Sequence, residues 1–514
     1  MSKGQDQVKK LIYGRTILTV LFILIQIAVL IWIYIVMRQR IVWVHGAFTA
    51  ASLILTVYLL NTKGNPMYKI AWILLILTVP VLGSLFYLLT RVDFGTHKIR
   101  YIYQQRTTEG SLFLEQNREV LNRLQAIDPQ AASTAVYLEG QGYPIYDNGT
   151  ATYFPLGEDK FSAMIPRLEQ AKDFIFLEYF IVSEGRMWNT VVEILERKAK
   201  EGVDVRMIYD GIGCLTTLPY DYFEKLRQRG IQCKVFSPIK PVLSSYQNNR
   251  DHRKILVIDG EVAFTGGINL ADEYINEKER FGHWKDTAVM VEGDAVRCFT
   301  TMFLQMWGLT TPGALHFERY LLPLASSESS QENGFVIPYG ETPLDDENTG
   351  EQVYFDMIHQ ATSYVHIMTP YLILDNEMVT ALTHAARRGV EVQIILPHIP
   401  DKPAAFWLAK TYYKELLKSG VEIFEYTPGF VHAKVFVSDD NKGTVGTINF
   451  DYRSLYLHFE CGAYFYGCDM LKDIEKDFQA TLTKCHRVTE EDCKNRPLLQ
   501  KLFGYILRIF APLM

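Results

Sequence analysis

His252-Arg253-Lys254 reaches Asp259 after four further residues, and His432-Ala433-Lys434 reaches Asp439 at the same spacing. Seven residues beyond each Asp stands Gly-x-x-Asn, which ends at Asn269 in the first copy and at Asn449 in the second. A polar constellation repeated at one spacing demands a fold that contains the same unit twice, and it suggests two halves of one site. The repetition extends upstream. Ala171–Glu178 has a counterpart in Ala361–Met368, Lys200–Val205 matches Arg387–Val392 with a Gly ending each helix, and Tyr222–Pro238 aligns without a gap on Tyr412–Pro428. Strand, helix, strand, helix and strand patterns in that order predict an α/β domain with a largely parallel sheet, present twice. The copies diverge just before the histidine, where the first carries residues 239–251 and the second only 429–431. The additional stretch, with Pro241, Ser244, Ser245, Asn248 and Asn249, predicts a loop at the mouth of the first half-site.

Residue types point to the chemistry. Histidine attacks as a nucleophile or passes a proton near neutral pH, whereas a lysine two residues on is a fixed positive charge that repels a metal cation. The pair therefore favours an anion over a metal. If each histidine opens a strand, as Ile255–Ile258 and Val435–Val437 imply, His and Lys point to one side and reach one ligand. Asp259 and Asp439 stand at odd separations from their histidines and face away, as supports. Asp259-Gly260 is a tight-turn signal that returns Asn269 to the level of His252, where its amide donates to the same oxyanion. A lone His-x-Lys before an apolar run is ordinarily a strand histidine. Retention of His, Lys and Asn in two otherwise apolar copies is what favours a site.

The first ninety residues obey different physics. Thr16–Val36 and Ile70–Thr90 are uncharged runs long enough as helices to cross a bilayer, and Ile41–Leu60, interrupted by His45, is a third candidate. Pro80 and Gly83 mark the last run as one that breaks or re-enters. Residues 1–91 hold nine Lys or Arg and one acid, Asp6, while the remainder holds 43 basic and 57 acidic residues, a net of −14. The chain's net charge of −6 conceals this split, which predicts a multi-pass protein of the cell membrane and argues against nucleic acid as a partner. Basic residues flank both ends of the region, Lys3, Lys9, Lys10 and Arg15 against Arg91, Lys98 and Arg100, and leave orientation open. Seven cysteines without a CxxC pair suggest neither a zinc site nor a disulfide framework. These patterns divide the chain into a transmembrane region at 1–91, a connecting segment at 92–135, a first domain at 136–309, a polar linker at 310–351, a second domain at 352–497 and an amphipathic tail at 498–514.

The paired motifs resemble the HKD motifs of the phospholipase D superfamily. Gly266–Tyr274, together with Asn65-Pro66 leading into Leu77–Gly83 and ending at Arg91, resembles bacterial cardiolipin synthases. The resemblance runs from about Lys63 to Met514, and departs at the front, where Thr16–Leu60 supplies two apolar segments in place of one. It implies two α/β repeats with mixed sheets packed about one shared active site, behind N-terminal transmembrane helices. It also implies transfer of a phosphatidyl group from one phosphatidylglycerol to another through a phosphohistidine, with no metal or other cofactor. By the same resemblance His252 is the nucleophile and His432 the general acid and base, and Lys254, Lys434, Asn269 and Asn449 bind phosphoryl oxygens. Glu460 and Asp286 are the carboxylates behind the rings, and Asp259 and Asp439 complete the motifs. A membrane phospholipase D that uses water, or a transferase that uses another alcohol, carries the same motifs and stays the alternative.

Overall fold

The computed structural model describes residues 24–29, 31–32, 35–36, 42–91, 94–238, 248–311, 313, 315–321 and 334–513. Two mixed sheets dominate the fold and follow one plan. In the first, the strands run from edge to edge as Thr150–Phe154, Ala288–Glu292, Val262–Gly266, Lys254–Ile258, Phe174–Tyr179, Asp204–Asp210 and Gln232–Phe236. In the second, the order is Phe335–Glu341, His458–Tyr466, Lys442–Gly446, Val435–Ser438, Tyr364–Met368, Glu391–Pro397 and Glu422–Tyr426, extended by Cys485–Arg487.

The expected largely parallel sheet is corrected by this topology. Only the last three strands of the shared plan run parallel in each copy, and the others are antiparallel. One antiparallel pairing in each sheet follows from the tight turn that ends each motif. Asp259 and Gly260 have φ of 53° and 71°, and Asp439 and Asp440 have φ of 53° and 59°, the paired left-handed residues that fold a strand back on its neighbour. A second correction concerns the linker expected at 310–351. Phe335–Glu341 within it is a wholly buried edge strand paired with His458–Tyr466, and Thr349–Gln360 begins the next helix. The polar stretches on either side hid a short apolar run with no period of its own.

Strands such as Phe174–Tyr179 and Lys254–Ile258 are buried along their whole length, as expected of runs covered on both faces. The two sheets share one core, in which Phe176, Ile255 and Val257 of the first meet Val435, Val437 and Ala463 of the second. Helices cover the outer faces. Arg118–Ile127, within the segment expected only to connect, and Pro129–Gly140, which runs from it into the expected first domain, pack into the core of the second half.

At the front, the candidate span Thr16–Val36 is described only at residues 24–29, 31–32 and 35–36, which are helical. Val42–Asn61 is a helix, but Ile70–Thr90 is two helices, Pro66–Thr78 and Pro80–Arg91. Pro80 lacks the N–H a continuous helix needs, and Gly83 comes so close to Leu75 that an added Cβ would lie 2.5 Å from the Leu75 carbonyl oxygen. Leu59, Ile76 and Tyr87 join the three helices in a small core. No helix of the described residues is long and apolar enough to cross a membrane.

Candidate active site

Both histidines sit where the chain crosses between the halves. Arg250-Asp251 pairs with His458-Phe459 of the other half, and the His252 N–H then donates to the Phe459 carbonyl at 2.9 Å. In the second copy Gly429–Val431 pairs with His283–Lys285 of the first half, and the His432 N–H donates to the Lys285 carbonyl at 2.7 Å. Neither histidine lies on a regular strand, as the sequence pattern had implied. Each occupies the link between a short bridging strand and the sheet strand that begins at Lys254 or Val435. The lysine side chains curl back, so that Lys254 Nζ donates to the His252 carbonyl and Lys434 Nζ to the His432 carbonyl.

The carboxylates behind the rings are exchanged between the halves. His252 Nδ1 lies 2.8 and 2.9 Å from the two oxygens of Glu460, and His432 Nδ1 lies 2.7 Å from Asp286 Oδ2. Glu460 also accepts from the hydroxyls of Thr447 and Ser454, at 2.5 and 2.7 Å, while Asp286 accepts from the Thr287 N–H at 2.8 Å. An ionised carboxylate in this position accepts a hydrogen bond from Nδ1–H and leaves the Nε2 lone pair for a substrate. Aromatic rings wall the pair. Phe180 stands edge-on to His252 with centroids 4.8 Å apart, and Tyr274, Trp284 and Phe430 surround His432 at 5.5, 5.4 and 5.9 Å.

Burial governs the charges. It holds His252 well below the ordinary imidazole range, with Lys254, His458, Lys434 and His432 adding repulsion. His432 is lowered to about 4 by burial and by Lys434, against the pull of Asp286. Each histidine therefore feels the lysine of the opposite half, which marks one shared site. Burial lowers Lys254 to about 8 and Lys434 to about 7, and raises Glu460 to about 8. A water-excluded pocket with two weakened ammonium groups is suited to an anion that restores their charge.

Asp259 and Asp439 face away from the rings. Asp259 accepts from the backbone N–H groups of Lys172, Asp173 and Phe174 at 2.8 Å each, and Asp439 from those of Thr362, Ser363 and Tyr364 at 2.8, 2.9 and 2.9 Å. Each carboxylate so fixes the entry to the strand beside the motif. Asn269 departs from the expected phosphate donor, since its Nδ2 donates to Tyr274 Oη at 2.7 Å and its Oδ1 accepts from the Ile181 N–H at 2.9 Å. Asn449 is buried at the matching position, with Oδ1 lacking a partner among the described residues.

Sequence reasoning missed Thr447, Ser454, Tyr274 and His458. One signal was legible for the first: Thr447 stands where the first copy has Gly267, and there an added Cβ would collide with Asp286 Oδ1 at 2.0 Å. The shorter carboxylate needs the glycine, and the longer one takes the threonine hydroxyl. His252, His458 and Glu460 bring donor atoms within 4.8 Å of one another, the one group among the described residues with the geometry to hold a metal ion. Lys254 and Lys434, whose charges reach His252, oppose a cation there.

Comparisons with known proteins agree with this geometry. The family described as the cardiolipin synthase phospholipase D-like domain matches residues 164–307 and 354–482, and the phospholipase D-nuclease N-terminal family matches residues 50–91. A Streptococcus mutans protein described as uncharacterized is 51% identical over 89% of this chain and 99% of its own. The cardiolipin synthase of Geobacillus kaustophilus is 35% identical, over 90% of this chain and 91% of its own. Among solved structures, phosphatidylserine synthase of Haemophilus influenzae superposes with a TM-score of 0.58 at 15% identity, over 74% of this chain and 98% of that one, a likeness of fold. With both motifs, the crossed carboxylates and the full-length relatives in agreement, the chain belongs to the cardiolipin synthase family of the phospholipase D superfamily.

Proposed function

We propose that the protein is a cardiolipin synthase that moves a phosphatidyl group from one phosphatidylglycerol to a hydroxyl of another and releases glycerol. The observation that carries the reading is the pair of buried imidazoles, each tied through Nδ1 to a carboxylate of the opposite half. In the first step His252 Nε2 attacks the donor phosphorus. The N–P bond forms, the P–O bond to glycerol breaks, and His432 gives its proton to the departing oxygen. In the second step the acceptor hydroxyl returns a proton to His432, its oxygen attacks phosphorus, and the N–P bond breaks. One difficult exchange between alcohols is divided into two displacements, each with a positioned proton carrier.

Lys254 and Lys434 bind the phosphoryl oxygens and offset charge as it builds in the transition state, with Asn449 beside them and Asn269 acting through Tyr274. His252 is neutral, as a nucleophile must be. A bound phosphodiester anion offsets the lysine repulsion at His432, so that this ring, countered by Asp286, carries the proton.

Membrane residence is part of the proposal. The front helices turn apolar side chains outward, with Ile54 71%, Val57 59% and Ile70 50% exposed, and a bilayer is the medium that suits them. The hairpin of Pro66–Thr78 and Pro80–Arg91 is seated on the second half, where Asn65 Nδ2 donates to Tyr456 Oη at 3.1 Å and Tyr68 stacks edge-on to Tyr452. It would hold the site at the lipid surface, where the second lipid is concentrated and water limited.

Incubation of the purified protein with phosphatidylglycerol vesicles tests the reading. Cardiolipin and glycerol should appear in equal amounts, and phosphatidic acid without cardiolipin would make the protein a hydrolase.

A further inference from the structure

His458 is a third histidine at the site, and the two-step reaction has no use for it. Its ring lies 5.5 Å from that of His252, its Nδ1 is 3.7 Å from Glu460 Oε1, and both of its nitrogens are buried with no hydrogen-bond partner among the described residues. A desolvated imidazole left without partners is destabilising, so its retention beside the nucleophile calls for a ligand. Residues 458 and 460 share one side of their strand, and Glu460 holds His252, so His458 stands in the row that faces the chemistry.

The surroundings of His458 are cationic. Arg453, Arg250, Lys254 and Lys402 all repel a proton from it. Two of these are already engaged: Arg250 forms a buried pair with Asp210 at 2.6 Å, and Lys254 belongs to the first motif. Arg453 donates through one Nη to Asn248 Oδ1 at 2.8 Å, in the stretch present only before the first histidine, and its Nε is buried with no partner among the described residues. Lys402 is exposed and lies over the Tyr371 ring at 4.9 Å, on a cavity that reaches Phe430 beside His432. Asp451, whose carboxylate caps a helix through the Ser454 N–H at 2.9 Å, is the acid that feels both Lys402 and Arg453. Arg453, with its Nε unpartnered among the described residues, is the cation of this group that keeps a buried donor for a ligand.

We propose that Arg453 and His458 form a second phosphate subsite, beside His252, that holds the phosphodiester of the acceptor lipid. The inference rests on the synthase reading, in which the product carries two phosphates joined through one glycerol. While the first phosphorus is bonded to His252, the second must lie within the reach of a three-carbon bridge, and the ring next to His252 is His458. A guanidinium forks a phosphate, and a neutral imidazole donates one further hydrogen bond without adding charge. The ligand class is an anionic glycerophospholipid, and the subsite selects it over water or a neutral alcohol.

The test separates acceptors with and without a phosphate while keeping one donor. Full-length wild-type, Arg453→Gln, Arg453→Lys and His458→Gln proteins are given phosphatidylglycerol vesicles, and two products are followed: cardiolipin, and phosphatidylglycerol labelled by exchange with radioactive glycerol. Loss of one charged hydrogen bond to the acceptor should lower cardiolipin formation about tenfold or more in Arg453→Gln, with a raised KM. Glycerol exchange should stay within about threefold of wild type, and Arg453→Lys should regain part of the lost synthesis. An equal fall in both products in a variant whose thermal-unfolding midpoint matches wild type, or no change in either product, overturns the subsite. A wild-type protein that exchanges glycerol but makes no cardiolipin would overturn the synthase reading and the acceptor subsite with it.

Discussion

Glu460 and His252 are 208 residues apart in the chain, and their side chains meet at 2.8 Å. The reciprocal contact, Asp286 to His432 at 2.7 Å, spans 146 residues. Each half supplies the carboxylate beside the other half's histidine ring, so a half by itself would present an unoriented histidine.

The exchange of supports predicts distinct defects. Glu460→Gln replaces the carboxylate that fixes His252 with a neutral amide and should lower kcat about a hundredfold or more, without accumulation of a covalent intermediate. Asp286→Asn weakens His432 instead. Mass spectrometry of the quenched protein should then find phosphohistidine accumulating at residue 252, since breakdown of the intermediate needs His432.

Direct replacement sharpens the assignment of roles. His252→Ala should abolish both cardiolipin formation and covalent labelling. His432→Ala should abolish turnover yet retain slow labelling of residue 252. Label found at His432 in the His252→Ala protein would reverse the two roles.

If the lysines bind the phosphate as proposed, their burial should set the alkaline limit of activity. Lys254 at about 8 and Lys434 at about 7 carry charge only below these values, so phosphate binding weakens as pH rises through them. A pH profile of kcat/KM should fall between about pH 7 and 8, well below the ordinary lysine value near 10.4. The same groups act on stability with the opposite sign. Unfolded lysines keep protons that the folded ones have released, so their contribution to stability rises with pH across this window, and the loss of activity is not loss of fold. A profile flat to pH 10 would remove the lysines from the phosphate site.

Asp439→Asn tests the outward layer. One carboxylate oxygen becomes an NH2 group, so the amide oxygen can keep the Ser363 and Tyr364 N–H groups while the Thr362 N–H loses its acceptor, at a cost of about 1–3 kcal/mol. Asparagine tolerates the φ of 53° at this turn, so the variant should fold. Its thermal midpoint should drop while KM for phosphatidylglycerol changes little. The hydrogen bonds hold Asp439 below its ordinary carboxylate value, so the stabilisation is present above that value and lost as pH falls through the lowered one.

At the front, Gly83→Val would drive side-chain atoms into the Leu75 carbonyl. The hairpin should open, with the loss measured as lower yield in the membrane fraction and a lower thermal midpoint. Gly46→Ala, with open space around its Cβ, serves as the control.

Much of this protein was legible in one dimension. Spacing is a local property, so the duplicated His, Lys, Asp and Asn, the doubled α/β plan and the split between a basic apolar front and an acidic remainder could be read directly. Asp259 and Asp439 do face away from the rings, but strand parity is not the reason: neither histidine lies on a strand, and both Asp residues are left-handed turn residues beyond the strand end. The edge strand Phe335–Glu341 escaped, since a strand buried on both faces has no alternation to detect. The crossed pairing of Glu460 with His252 and Asp286 with His432, the amide of Asn269 turned to Tyr274, and the unpartnered ring of His458 were decided only by the tertiary structure. Those contacts arise where Arg250-Asp251 and Gly429–Val431 each pair with the opposite half, and a pairing between segments distant in the chain leaves no period or spacing in either one.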